Sequence, residues 1–392
     1  MLQLYGDGIH DDTAAIQERI DGVCETVLPM PEVEYLISKP LVLHSGSRLV
    51  LPRYARIKLA KGSNCPMVQN ELVEEAGERC PDQPLYDFVN IYSPDHLCEN
   101  IEVIGGIWDF NNMEQQQNPI VTRNYEIYGY GGFGFLFYHV RNLRISSITF
   151  KDPVTYAVIF DTVSYFTVDN VVFDFNYGNP HATNMDGIHL NGNCHFGRMT
   201  NLQGACYDDL VALNADEGTK GPITDIEIDG IFSEDCHSAA RLLSVKHKVE
   251  NIHISNVYGT YYQYCIGLTK WFPGETEDNY QAITLEHIYA SKAERLPVYN
   301  KGDSYVFPLI FIQGSLVIRD LKIADLHRNE RINTIDTVFV GEGTTIENLT
   351  LDRIYTKNLT GQGEMPLYTN RGKVHRLFAR EIFADGEELS LD

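Results

Sequence analysis

The chain has 392 residues, 43% of them apolar, and sets 31 Lys+Arg against 54 Asp+Glu for a net charge of −23. That balance excludes a nucleic-acid backbone as partner, because such binders carry a basic footprint, and the apolar content excludes wholesale disorder. No apolar run reaches the roughly 18 residues of a membrane span, so neither partner class is expected.

In chain order, Met1 to Asp7 shows no basic n-region and no apolar h-segment, so no signal peptide is visible. The expected location is the cytoplasm, or outside the cell if a leader has been removed. Gly6-Asp7-Gly8-Ile9-His10-Asp11-Asp12-Thr13 reads as a turn running into a helix start, with Asp11 or Asp12 as cap and Gln17 in an early turn. Ile16, Ile20 and Val23 form an apolar stripe suited to plug one end of a coil of strands. Cys24, Cys65, Cys80, Cys98, Cys194, Cys206, Cys236 and Cys265 contain no C-x-x-C pair. Free, mostly buried thiols are therefore expected rather than a metal centre.

Residues 111–132, with Gln115-Gln116-Gln117 and Tyr-Gly repeats, read as a long loop that walls a cleft. From about residue 100 the chain repeats an apolar-x-apolar pair, a two-residue break, and another apolar pair. Instances are Leu143-x-Ile145-x-x-Ile148-x-Phe150, Phe166-x-Val168-x-x-Val171-x-Phe173 and Leu316-x-Ile318-x-x-Leu321-x-Ile323. The second apolar positions, 145, 168, 199, 228, 254, 285, 318, 351 and 379, are separated by 23, 31, 29, 26, 31, 33, 33 and 28 residues. Period-two alternation marks short strands with one buried face, and Asn, Gly or Asp in the break marks a bend. Such a unit buries its apolar face only by stacking on its neighbours. The pattern predicts an all-β, single-domain right-handed parallel β-helix over 1–392, with a cap at 1–30, rungs over 31–360, and a last rung and cap over 361–392. For such a solenoid the prior of about 150 residues per domain does not apply.

G-D-G-x-x-D-D-T-x-A-I-Q resembles the N-terminal signature of the pectate-lyase-like superfamily of right-handed β-helix proteins. Within it the chain is most similar to glycoside hydrolase family 28, the polygalacturonases. Tyr35-Leu36-Ile37-Ser38-Lys39-Pro40-Leu41 and Gly105-Gly106-Ile107-Trp108-Asp109 match segments common in that family.

Asn184-Met185-Asp186-Gly187-Ile188-His189 and Tyr207-Asp208-Asp209 stand where the family carries N-T-D and D-D. Asp186 and Asp209 are 23 residues apart, about one rung. Rungs stack roughly 4.8 Å apart, which brings these carboxylates within the roughly 5–10 Å a two-carboxylate glycosidase needs. The resemblance implies an inverting hydrolase with Asp208 as general acid and Asp186 and Asp209 as the water-activating pair. The competing reading makes all three turn residues, since Asp and Gly favour turns for backbone reasons. Alternation parity alone does not say which of them point into a cleft.

The next family motifs are altered. Asp235-Cys236-His237-Ser238-Ala239-Ala240-Arg241 replaces G-H-G, with Ser238 at the histidine position, and the R-x-K pair is absent from Ile266-Gly267-Leu268-Thr269-Lys270-Trp271. In polygalacturonases that pair clamps the galacturonate carboxylate, so a largely neutral oligo- or polysaccharide is expected here instead. Asn184, His189, Tyr207, His237, Arg241, Lys270 and Trp271 are the candidate substrate contacts. His189 reads equally as a cleft or a surface residue, and the cations equally as solvated. Tyr258, Tyr261, Tyr262 and Tyr264 read as sugar platforms or as internal ladders. No cofactor or metal is expected for a hydrolase. A lyase would instead hold Ca²⁺ on the three aspartates with Arg241 as base, and a non-catalytic glycan-binding β-helix is the third reading. The oligomeric state is left open.

Overall fold

The computed structural model describes residues 2–79, 93–118, 130–180, 182–294 and 307–391. Short strands wind into a coil with three parallel faces. On the first face, twelve described segments pair in register from Glu25–Val27 to residues 373–380. The second face runs from Tyr35–Ile37 to residues 382–384. The third runs from Leu41–Leu43 to Tyr368–Asn370. Among the described residues only the closing Glu387–Glu388 pairs antiparallel.

The apolar-x-apolar pairs make this coil because alternate residues point inward on a strand. Ile145, Val168, Met199, Ile228, Ile254, Leu285, Ile323 and Leu351 stack one above another with no exposed surface. Burying each such side chain is worth about 1.5–3 kcal/mol. The bend between the first and second faces falls on a left-handed residue, Asn170, Asn201, Gly230, Asn256 and Asp325 on five rungs and Ser147, His287, Arg353 and Glu381 on four others. Gly, Asn and Asp reach that region at least cost. The residue before the bend often ties to the next rung: Asp229 Oδ1 accepts from both Ser255 Oγ and Asn256 Nδ2 at 2.7 Å.

The register corrects one repeat. Leu285 pairs with Ile323, not Ile318, and Ile323 pairs with Leu351. The separations there are thus 38 and 28 residues rather than 33 and 33. Leu316 and Ile318 are also buried apolar residues in alternation, which is why the pattern alone slipped by one unit.

The N-terminal helix, α1 (Thr13–Gly22), buries Ile16 and Ile20, but Val23 is 57% exposed and lies outside the stripe. Asp12 occupies the cap position without a side-chain cap bond. Its carboxylate instead accepts from the Tyr5 and Gly6 amides, tying down the preceding segment. A second helix, α2 (Glu71–Arg79), was not anticipated; Leu72, Val73 and Ala76 pack it on the coil. Its nine residues carry too few apolar repeats to stand out. Of the 111–132 loop, residues 119–129 lie outside the described residues. In its described part, Asn118 Nδ2 donates to Thr183 O at 2.5 Å, three residues before Asp186 in the chain. The seven described cysteines are free thiols, five of them buried.

Candidate active site

The third face builds the cluster. Its outward positions on successive rungs are His189, Ala212, Arg241 and Gly267, while Asp186, Asp208 and His237 sit in the turns entering the strands and Asp209 opens one. Ala212 stands as the small residue between His189 and Arg241 in this row.

His189 is fully buried. Its Nδ1 lies 2.6 Å from Asp186 Oδ2 and its Nε2 lies 3.0 Å from Glu217 Oε2, with the Tyr156 ring stacked on it at 4.0 Å. Burial disfavours the imidazolium, but the two carboxylate partners outweigh it and push the pKa up to about 9. Asp186 itself is raised, chiefly by burial, against the lowering effect of His189. A raised His contributes stability in full below its ordinary value of 6.5 and loses it as pH rises through about 9. A shift of this size corresponds to on the order of 3 kcal/mol. We therefore expect the difference in denaturation midpoint between wild type and His189→Gln to shrink between pH 6.5 and 9. A difference that stays flat across that window would show that the imidazolium is not held in the fold.

One rung on, Asp209 is fully buried. Its Oδ1 accepts from Ser238 Oγ and, at 3.2 Å, from Tyr264 Oη. Its Oδ2 faces Arg241 Nε at 2.9 Å, charge to charge rather than as an aligned hydrogen bond. Burial opposes the Arg241 charge, but Asp209, with Asp208 and Asp186 behind it, drives the guanidinium well above its ordinary range. The backbone amide of Asp209 donates to Asp186 Oδ1 at 3.3 Å, tying the Asp186 carboxylate to the next rung.

Asp208 differs from both, with a side chain 17% exposed. His237 Nδ1 lies 3.7 Å from Asp208 Oδ1 and 4.0 Å from Asp209 Oδ1. Asp208, Asp209 and His237 each offer one ligand atom within 4.8 Å of the others, the one candidate metal cluster among the described residues.

Of the expected residues, Asp186, Asp208, Asp209, His189, His237 and Arg241 converge. Asn184 adopts a left-handed backbone two residues before Asp186. Tyr207 leans on Tyr177 at 5.3 Å, its phenol pushed up to about 12 by burial. Trp271, 43% exposed, reaches the cluster only through Phe307, which in turn packs against Tyr264. Lys270 donates its backbone amide to Gln313 and shows no contact with the carboxylates among the described residues. Sequence reasoning missed Glu217, Tyr156 and the Ser238 bond to Asp209. Glu217 follows the strand Asp209–Asn214 and had no motif to mark it. The tyrosine run divides: Tyr261, Tyr262 and Tyr264 are buried, while Tyr258 joins an exposed stack with Phe232 and Tyr289.

No protein-family model and no curated protein sequence matches the chain. Solved structures do. The endo-xylogalacturonan hydrolase of Aspergillus tubingensis superposes with a TM-score of 0.60 at 13% identity, over 95% of this chain and 98% of that one. The family 28 exopolygalacturonase of Yersinia enterocolitica gives 0.55 at 11% identity, over 98% and 77%. A surface adhesin of Streptococcus pneumoniae, PfbA, gives 0.52 at 14%, over 97% and 91%. The chain has the parallel β-helix fold of these structures. Such a fold carries hydrolases and an adhesin alike, so activity has to be argued from the site.

Proposed function

We propose that the protein is a glycoside hydrolase in which Asp208 protonates the leaving glycosidic oxygen and Asp186 with Asp209 holds the attacking water. The observation that carries this reading is the pairing of one partly open carboxyl, Asp208, with two buried carboxylates fixed one rung apart. A proton donor must reach a bulky substrate, whereas water-binding carboxylates need orientation more than access. His189 supplies that orientation at Asp186 and Arg241 at Asp209.

The substrate face beyond Arg241 favours an uncharged sugar. The next outward positions are Gly267, Phe311 and Phe339. A Cβ on Gly267 would meet the Tyr264 ring at 2.8 Å, so that ring occupies the space above it, and Phe311 stacks on Tyr264 at 6.1 Å. Among the described residues this aromatic floor carries the Arg241 guanidinium, already committed to Asp209, and the Arg371 guanidinium over Phe339, two rungs beyond Gly267, whereas a polyanion needs a charge-assisted donor at each unit.

The calcium-lyase reading fits the residues poorly. A histidine belongs to borderline metals rather than to Ca²⁺, and Arg241, held protonated by three carboxylates, is no proton acceptor. The test is a panel of neutral glycans and polygalacturonate scored for new reducing ends, with and without chelator. The expected result is chelator-independent release from a neutral glycan and little from polygalacturonate. Robust depolymerisation of polygalacturonate would overturn the substrate class, and unsaturated, chelator-sensitive products would overturn the reaction type.

A further inference from the structure

We propose a second carbohydrate-binding site on the first face, a groove of about 670 Å³ headed by Tyr165 and Phe196 and floored by Arg198, Glu227 and His253. It lies on a different face from the carboxylate cluster and shares no residue with it.

The argument begins with backbone conformation. The corner that enters the first face turns through a left-handed residue on successive rungs: Asn100, Asn142, Tyr165, Phe196, Asp225, Asn251 and Ala282 occupy equivalent positions, with φ between 53° and 65°. Asn and Asp suit this region, whereas a bulky aromatic residue there is strained. Such strain persists where something else requires the residue, and it concentrates at binding sites. Packing does not require these two rings: Tyr165 is 49% exposed and Phe196 48%.

Geometry suits a sugar. The rings stack at 4.9 Å with 23° between their planes, and the Arg141 guanidinium covers Tyr165 at 5.1 Å. Phe196, which borders the groove, also meets His195 edge to face at 5.5 Å and stays about half exposed. A pyranose presents one face of weakly positive C–H groups, complementary to the negative face of an aromatic ring. Around it the groove offers hydroxyl partners of both kinds: the Arg198–Glu227 pair, with Nε 3.1 Å from Oε2, and Asn251 bonded to Asp225 at 3.0 Å. The groove lining sets one guanidinium, Arg198, against two carboxylates, Asp225 and Glu227, so with His253 neutral it carries a net negative charge. That sign selects an uncharged saccharide over a polyanion.

The test is electrophoretic retardation in gels cast with soluble xylan, arabinogalactan, galactomannan or polygalacturonate. Wild type is expected to be retarded by at least one neutral polymer, with dissociation constants raised at least about tenfold in Phe196→Ala. The double variant Tyr165→Asn/Phe196→Asn restores the residue the corner favours. It should keep or raise the melting temperature while losing retardation, which separates lost binding from lost folding. Asp208→Asn should be retarded like wild type, so failure of the catalytic proposal would leave this one standing. Retardation only by polygalacturonate, none by any polymer, or retardation unchanged in the Asn pair would each overturn it.

Discussion

Asp208→Asn is expected to lower turnover on natural glycosidic linkages by roughly 10²-fold or more, the usual contribution of a positioned proton donor. On substrates whose leaving group departs without protonation, the same variant should keep most of its rate. The expectation rests on access: Asp208 is the partly exposed member of the three, beside His237 and the buried Asp209. Replacing its carboxyl by an amide keeps volume and hydrogen-bonding capacity but removes the transferable proton. Initial rates on a natural oligosaccharide and an activated aryl glycoside decide the matter. Equal losses on both would move the donor role away from Asp208.

Arg241→Met should cost about 3–5 kcal/mol of folding free energy, because it strands a fully buried carboxylate without its counter-charge. Ser238 and Tyr264 would remain as donors to Asp209 Oδ1, but neither supplies charge. Combining Arg241→Met with Asp209→Asn removes both charges, and the double variant should recover much of the loss. Urea midpoints for the four proteins complete the cycle. Additive losses in the double variant would mean that the pair is not coupled and that another group neutralises Asp209. In a stacked fold the damage should centre on the rungs around 209 and 241, since each rung contacts chiefly its neighbours.

These effects depend on contacts that the sequence reveals unevenly. The coil itself was legible because its cause is local and repeated: an alternating apolar pair followed by a residue that tolerates a left-handed bend. Each rung restates the same preference, so an error at one unit, as at Leu316 to Ile323, leaves the architecture intact. Asp186, Asp208 and Asp209 were legible for a related reason, since a spacing of one rung converts directly into proximity across the stack. Their environments were not. Whether a carboxylate is open, as Asp208 is, or sealed beneath Tyr264 and Arg241, as Asp209 is, depends on side chains arriving from residues 25 or more positions away. His189 was undecided by parity because an outward-facing residue becomes buried only when other segments close over it, here with Tyr156 and Glu217. The strained rings of Tyr165 and Phe196 were likewise invisible, since left-handed backbone at a tyrosine or phenylalanine runs against the intrinsic preference that sequence reading uses. Periodic burial thus fixed the coil from the sequence alone. The tertiary structure decided charge pairing, solvent access and strain, because those follow from which distant side chains share a face.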